Sequence, residues 1–279
     1  VAEPPTWREL LEDAISRLGD RTDARRIVEE ASGREGAELT AFLDDEATSV
    51  TRAHYDAMVE RRVAGEPLQY VLGRWGFRRL DVHVDGRVLI PRPETETVVE
   101  HALALVDALG ARLAVDLGTG SGVIAMSLAV ERPKLAVWGT DASEQALDVA
   151  RANLAGTGRA GARVRLAQGD WYDALDPELA GTIDVVVANP PYVAADDPLP
   201  PEVSEWEPRE ALISGPTGLE AIERILCDAP SWLSPRGGVV LEIGETQAEP
   251  VVALASRYFA AADVHADLAG KPRVLVARR

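Results

Sequence analysis

The sequence runs to 279 residues, 46% of them apolar, and its 46 acidic side chains against 29 lysines and arginines give a formal charge of −17. That length holds one large α/β domain and a small extra one, while the acidic balance argues against nucleic acid as a direct partner, because phosphate binding needs clustered cations. No stretch approaches the ~20 apolar residues of a membrane span, and a lone Cys227 with His54, His83, His101 and His265 scattered along the chain offers neither a disulfide nor a metal-ligand spacing.

The start, Val1-Ala2-Glu3-Pro4-Pro5, lacks a basic n-region and an apolar h-region, and with the single cysteine this predicts a cytoplasmic protein. Thr6-Trp7-Arg8-Glu9 is a capping-box pattern; Trp7, Leu10, Leu11, Ala14, Ile15 and Leu18 follow at helical spacing and Gly19 ends the helix. Further helices are predicted over 23–31, around 39–43 and over 51–64, the last stopping at Gly65. Residues 1–68 therefore read as an all-helical domain without a glycine loop or a catalytic cluster, serving either as a packing appendage or in partner recognition. Over 69–90 a linker hairpin is predicted: Leu80, Val82 and Val84 alternate, Asp85-Gly86 is a turn pair, and Val88-Leu89-Ile90 returns. Pro91-Arg92-Pro93-Glu94-Thr95-Glu96 then leads into a helix carrying Val98, Val99, Ala102, Leu103 and Val106. Such a rigid, charged segment either covers a ligand or caps the helix.

From Leu113 onward strand, loop and helix alternate, the mark of a doubly wound, mostly parallel α/β sheet. Strands are predicted at 113–115, 136–140, 164–166, 183–188 and 238–243, with a closing pair around Val264 and 274–277, seven in all. Helices are predicted over 123–130, through Ala146, Leu147 and Ala150, and over 219–226. Residues 91–279 form this second domain.

The chemistry is expected at Val185-Val186-Val187-Ala188-Asn189-Pro190-Pro191-Tyr192. A β-branched apolar run stopped by two prolines reads as a strand buried on both faces that ends in a stiff turn. The prolines fix φ and remove two N–H donors, so the carbonyls of Asn189 and Pro190 are held outward with no competing local donor. Asn189 adds a side-chain carbonyl and Tyr192 an aromatic face, a set that accepts both hydrogens of a planar NH2 group and covers its flat side. The plainer reading is a rigid loop after a strand. Earlier, Asp116-Leu117-Gly118-Thr119-Gly120-Ser121-Gly122 follows the first strand of the sheet, where glycine permits close approach of a ligand; its spacing departs from the dinucleotide fingerprint G-x-G-x-x-G. Asp141, past the second strand, is placed to accept the two hydroxyls of a ribose. Asp170-Trp171, past the third, is placed for an adenine edge and face. Helix N-capping is the alternative for each aspartate.

These stretches, with Gly65-Glu66-Pro67-Leu68-Gln69-Tyr70, Val88-Leu89-Ile90-Pro91-Arg92-Pro93-Glu94-Thr95-Glu96 and Trp206-Glu207-Pro208, resemble a Rossmann-like class I S-adenosylmethionine-dependent methyltransferase. More closely they resemble the protein glutamine N5-methyltransferases that modify peptide chain release factors, the PrmC or HemK family. The resemblance spans nearly the whole chain, though Leu268-Ala269-Gly270-Lys271-Pro272-Arg273 departs from the family's usual tyrosine-containing ending. It implies S-adenosylmethionine as cofactor, with S-adenosylhomocysteine as product, bound by Asp116, Gly118, Thr119, Gly120, Ser121, Gly122, Asp141, Asp170, Trp171 and Asn189. It implies that Asn189, Pro190, Pro191 and Tyr192 bind the substrate and that Asn189, Pro190 and Tyr192 serve catalysis. The implied target is the glutamine in the Gly-Gly-Gln loop of class 1 release factors, engaged with help from the helical domain, with no metal and no membrane involved. The Asn-Pro-Pro-Tyr turn is shared with DNA amine methyltransferases and reports the target nitrogen, so a DNA or RNA exocyclic-amine methyltransferase remains an alternative, as does a glutamine methyltransferase of a ribosomal protein.

Overall fold

The computed structural model describes residues 4–279; the part of the chain-start reading that falls on Val1–Glu3 lies outside them. The chain up to Arg74, joined by Pro200–Trp206, forms one compact unit, and Trp75–Leu199 with Glu207–Arg279 forms the other. The boundary thus falls six residues beyond the predicted 1–68, and a later segment returns to the helical unit.

In that unit α1 (Trp7–Leu18), α2 (Arg21–Ser32), α3 (Gly36–Ala41), α4 (Ser49–Val63) and α5 (Leu68–Leu72) follow one another. The α1 capping box forms: Thr6 Oγ1 accepts from the Glu9 N–H at 3.3 Å and Glu9 Oε2 accepts from the Thr6 N–H at 2.8 Å. Asp20 caps α2 by accepting from Thr22 and Asp23, which is why α2 begins before the predicted residue 23. Trp7, Leu10, Ile27, Leu39, Tyr55, Met58 and Val59 fill the core. The Tyr55 hydroxyl is satisfied there, donating to the Leu10 carbonyl at 2.7 Å and to Asp13 Oδ2 at 2.9 Å. Arg62 ties α4 to Asp23 and to Glu202 of the returning segment, at 2.7 Å each.

The second unit opens with a short pair, β1 (Arg74–Phe77) and β2 (Leu80–His83). The predicted hairpin around Asp85-Gly86 is therefore corrected. The turn exists, with the Val88 N–H donating to the Asp85 carbonyl at 3.1 Å, but Val88–Ile90 is not a strand. The Ile90 N–H donates instead to Glu207 Oε2 at 3.1 Å, so a side chain satisfies a group that a ladder would have used. After α6 (Pro93–Leu109) the chain alternates through β3 (Leu113–Leu117), α7 (Val123–Glu131), β4 (Ala136–Asp141), α8 (Glu144–Ala155), β5 (Val164–Gln168) and β6 (Ile183–Ala188). β7 (Val193–Ala194), α9 (Pro201–Trp206) and β8 (Ile213–Gly215) come next, none of them foreseen, with β7 and β8 pairing in parallel. The chain ends with α10 (Glu220–Trp232), β9 (Leu233–Glu242), α11 (Ala248–Ala255), β10 (Ala261–Ala266) and β11 (Pro272–Arg278).

The seven-stranded sheet has the order β10-β11-β9-β6-β3-β4-β5, and only β11 runs against its neighbours. Alternation along the strands divides its two faces. Val115, Leu117, Val186, Ala188, Val239 and Leu241 share a core with α10 and α11, while α6 packs on β6, β9 and β11 across the other face. Burial on both faces explains the unbroken valine run of β6 and the apolar circumference of α7, buried from Val123 to Ala129. β3 and β4 run one way from the middle of the sheet and β6 lies on the other side of β3. The strand order therefore reverses between β3 and β6, where an open α/β sheet leaves a crevice at its carboxyl edge.

Candidate active site

The loop after β3 is shaped by Asp116, which is wholly buried at the strand's end. Its Oδ2 accepts from the Thr119 hydroxyl at 2.6 Å and from the Ala125 N–H at 3.1 Å, tying the loop to the first turn of α7. Its Oδ1 has no hydrogen-bond partner, and burial pushes the carboxyl up to about 7 in spite of those two donors. Asn153 of α8 holds the loop from the other side, donating to the Ser121 carbonyl at 2.9 Å and the His83 carbonyl at 3.0 Å. Gly118 and Gly120 sit at φ +70° and +53°, left-handed conformations costly for other residues. A Cβ on Gly118 would stand 3.4 Å from the Trp171 ring, whereas one on Gly120 would meet open space, so the loop presents bare backbone to the crevice.

That crevice encloses about 1030 Å³ with its open mouth counted. Gly118, Thr119, Gly120, Ser121, Asp141, Asp170, Trp171, Asn189 and Pro191 all line it, so loops from four successive parallel strands converge as the sequence reading required. Asp116 and Gly122 do not line it: the first braces the loop, and the second caps α7 at φ +86° against Met126 and Ala150. Asp141, largely buried, ends β4 with Oδ2 accepting from the Gly120 N–H and Oδ1 from the Ser143 N–H, both at 2.9 Å. Burial raises its carboxyl above the ordinary range, and each oxygen keeps a further acceptor position for a hydroxyl. Asp170 is exposed, 3.5 Å from the Arg224 guanidinium, and Trp171 follows at φ +50°, a strained backbone that turns its indole toward the glycine loop.

At the acceptor turn, Asn189 is part-buried on the crevice wall and its Nδ2 donates to Thr95 Oγ1 at 3.2 Å. Thr95 in turn donates to Glu242 Oε2 at 2.6 Å, and the Tyr192 hydroxyl donates to Glu242 Oε1 at 3.3 Å. Pro190 is buried and neither it nor Tyr192 lines the crevice. The Tyr192 hydroxyl is committed behind the turn, and its carbonyl accepts from Gln247 Nε2 at 2.9 Å. Burial next to the Glu242 carboxyl raises the Tyr192 phenol above its ordinary value.

Several lining residues escaped the sequence reading. Thr95 comes from the Pro91–Glu96 segment, and Val88, Leu89 and Pro91 come from the stretch taken for a strand. Pro208, Glu210 and Ala211 close the opposite wall. Glu207, buried, holds the two walls together by accepting from the Ile90 N–H and pairing with the Arg92 guanidinium. The signal for Glu242 was a lone acid in Val239-Val240-Leu241-Glu242-Ile243, a charge in a run otherwise fit for full burial.

The donor set fits S-adenosylmethionine better than a dinucleotide. Asp141, Asp170 and Glu210 put carboxylates at the crevice, with Arg87 the only cationic side chain on its lining among the described residues; they would repel a pyrophosphate and favour hydroxyls and a sulfonium. Trp171, Val88, Leu89 and Ile124 supply apolar surface for a base, and the bare backbone at Gly120 admits close approach. Among the described residues no group of three or more His, Cys, Asp or Glu is placed to hold a metal ion, and no helix is long and apolar enough to cross a membrane.

Residues 99–199 match the Methyltransferase small domain family and residues 7–73 match the PrmC N-terminal domain family. The chain is 42% identical over 275 residues to a release factor glutamine methyltransferase of Burkholderia pseudomallei, an alignment covering 97% of this chain and 95% of that protein. It is 40% identical over 277 residues to one of Xylella fastidiosa, covering 98% of each. A solved T. thermophilus 16S rRNA N2 methyltransferase, RsmC, in complex with AdoMet and guanosine shares the fold. Its TM-score is 0.52 at 19% identity, over 74% of this chain and 49% of that one. Two matched domains in order and near-complete alignment with these relatives place the chain in the release factor glutamine methyltransferase family.

Proposed function

We propose that this chain methylates the side-chain amide nitrogen of the glutamine in the Gly-Gly-Gln loop of class 1 peptide chain release factors, using S-adenosylmethionine. The single observation carrying this reading is the Asn189 amide: its nitrogen end is committed to Thr95 on the crevice wall, so its carbonyl oxygen is the end left for a substrate N–H. Gly118, Thr119, Gly120, Ser121, Asp141, Asp170 and Trp171 would hold the cofactor, which when bound would supply an activated methyl whose S–C bond breaks, its electron pair staying on sulfur, as the N–C bond forms.

An amide nitrogen is a poor nucleophile, so the work left to the protein is alignment and exclusion of water. Asn189 Oδ1 and the Pro190 carbonyl accept the two N–H bonds of the glutamine and point its nitrogen at the methyl group. As the nitrogen becomes positive both acceptors bind it more strongly, which stabilises the transition state more than the ground state. Pro191 shapes the wall. The Tyr192 hydroxyl is tied to Glu242, and its ring packs against the plane of the amide. The proton leaves the nitrogen after transfer, without a dedicated base. The helical unit engages the body of the release factor, the protein acts in the cytoplasm, and its −17 charge disfavours direct contact with nucleic acid.

The test is incubation with methyl-labelled cofactor and, in parallel, a class 1 release factor, its Gly-Gly-Gln glutamine-to-alanine variant, ribosomal proteins and DNA. Label confined to the release factor, and lost with that glutamine, is the expected result. Label in ribosomal protein or DNA alone overturns the assignment.

A further inference from the structure

We infer that Thr95 is a positioning residue that fixes which end of the Asn189 amide faces the substrate, and that Glu242 fixes the direction of the Thr95 hydroxyl. The inference rests on the assignment of Asn189 as the acceptor of the substrate amide.

Three elements converge on this point: Asn189 follows β6, Glu242 ends the adjacent β9, and Thr95 lies in the first turn of α6. Thr95 is 2% exposed and Glu242 1%, so water does not substitute for either. A hydroxyl has one proton to give. Thr95 gives its proton to Glu242 Oε2 at 2.6 Å, so only lone pairs remain on Oγ1 for Asn189, and an amide nitrogen is the end that suits them. With the amide turned over, its oxygen would face Oγ1 with no proton between them, a repulsive contact in a buried site. The orientation of Asn189 is thus imposed from two residues away.

The arrangement requires Glu242 to accept at both oxygens, from Thr95 at one and from Tyr192 at the other, as an ionised carboxylate does. Around it stand Arg273 of β11, which favours the ionised form, and Glu94 of α6, which opposes it. Burial pushes the carboxyl up to about 7, so its protonation falls within the working pH range. Once protonated, Glu242 is able to donate to Thr95, whose own proton is then free to turn toward Asn189, and the amide loses its enforced direction. Methyl transfer should accordingly decline as pH falls through about 7.

Four variants test this: Thr95→Val, Thr95→Ser, Glu242→Gln, and Thr95→Val combined with Asn189→Ala. Thr95→Val should lower kcat roughly 10- to 100-fold, on the scale of a misaligned reacting group, with the cofactor KM changed by less than about threefold. Thr95→Ser should restore kcat to within about threefold of wild type, and Thr95→Val should add less than about threefold to Asn189→Ala, because it acts only through that side chain. Glu242→Gln should lose the acid limb of the pH profile. Wild-type kcat in Thr95→Val, or full additivity with Asn189→Ala, overturns the inference. Should Thr95→Val fail to fold, the pH profile of Glu242→Gln decides: an acid limb retained at about 7 overturns it. A wild-type enzyme that leaves the release factor unmethylated instead defeats the underlying assignment.

Discussion

Replacing Asp116 by asparagine tests whether burial holds the carboxyl at the end of β3 against ionisation. The side chain is fully buried, its Oδ1 lacks a partner, and its carboxyl stands at about 7 where a free aspartate stands at 3.8. Between those two values the folded protein keeps a proton that the unfolded chain has released, so raising the pH favours unfolding. The stabilisation is complete below the unfolded value and is lost as pH rises through the folded one. With about 1.4 kcal/mol for each pH unit separating the two values, the effect is on the order of 4 kcal/mol between about pH 4 and pH 8. Asparagine does not titrate. The difference in unfolding free energy between wild type and Asp116→Asn, taken from urea melts across that range, should therefore move in the variant's favour by that order as pH rises. Glu242, which titrates in the same region, is common to both proteins and drops out of the difference to first order. Parallel stability curves for the two proteins, at equal m-values, would refute the reasoning.

Asn189→Ala should leave the cofactor Kd unchanged and lower methyl transfer at least ~100-fold, the scale of losing an aligned polar stabiliser; near-normal turnover by the folded variant would remove Asn189 from the chemistry. Gly118→Ala and Gly120→Ala should each cost about 1–2 kcal/mol for the left-handed backbone, read as a lower denaturation midpoint. Only Gly118→Ala puts a methyl in contact with the indole of Trp171, so only it should alter tryptophan fluorescence before cofactor is added, and identical spectra would count against that packing. Tyr55→Phe should lower hydrogen-exchange protection within residues 7–63 by about 1–3 kcal/mol while a short Gly-Gly-Gln peptide is methylated at the wild-type kcat. Glu207→Ala strips the Ile90 N–H and the Arg92 guanidinium of their common partner. It should cost about 2 kcal/mol, Arg92 being partly exposed, and raise the cofactor KM; an unchanged KM would show that the crevice walls do not depend on it.

Where one physical rule dominated, the sequence was readable. β6 was placed to the residue because its valine run has no polar interruption and two prolines end it. α1 was placed by its capping box and Gly19. The crevice was foreseen as an ordered set of strand-end loops because each loop carries its own short signal. What escaped depends on partners remote in the chain. Val88-Leu89-Ile90 is an apolar run such as a strand carries, yet the Ile90 N–H is claimed by Glu207, 117 residues on. Thr95 looked like part of a helix start, and its meaning appears only once Glu242, 147 residues on, is placed beside it. The Tyr192 hydroxyl meets Glu242, 50 residues on, and nothing local to Asn-Pro-Pro-Tyr reveals that buried carboxylate. Side chains satisfied across long sequence separations leave no local pattern, and in this site they are the ones that hold the Asn189 side chain in place.

The distribution of acids around the crevice has a consequence for how the acceptor works. During transfer positive charge passes from sulfur to the amide nitrogen, so a full negative charge beside the methyl group would attract the cofactor about as strongly before the reaction as during it. Such uniform binding lowers KM without raising kcat. At about 4 Å and an effective dielectric of 20, two unit charges interact by about 4 kcal/mol, so an acid at position 189 would spend that energy on the ground state. Asn189 is neutral. In the proposed reaction its carbonyl dipole, with that of Pro190, would act on the nitrogen and gain strength as that atom becomes positive. Glu242 lies one residue deeper and accepts from the Thr95 and Tyr192 hydroxyls, so in the proposed reaction a buried carboxylate would aim a neutral acceptor without presenting its charge to the cofactor.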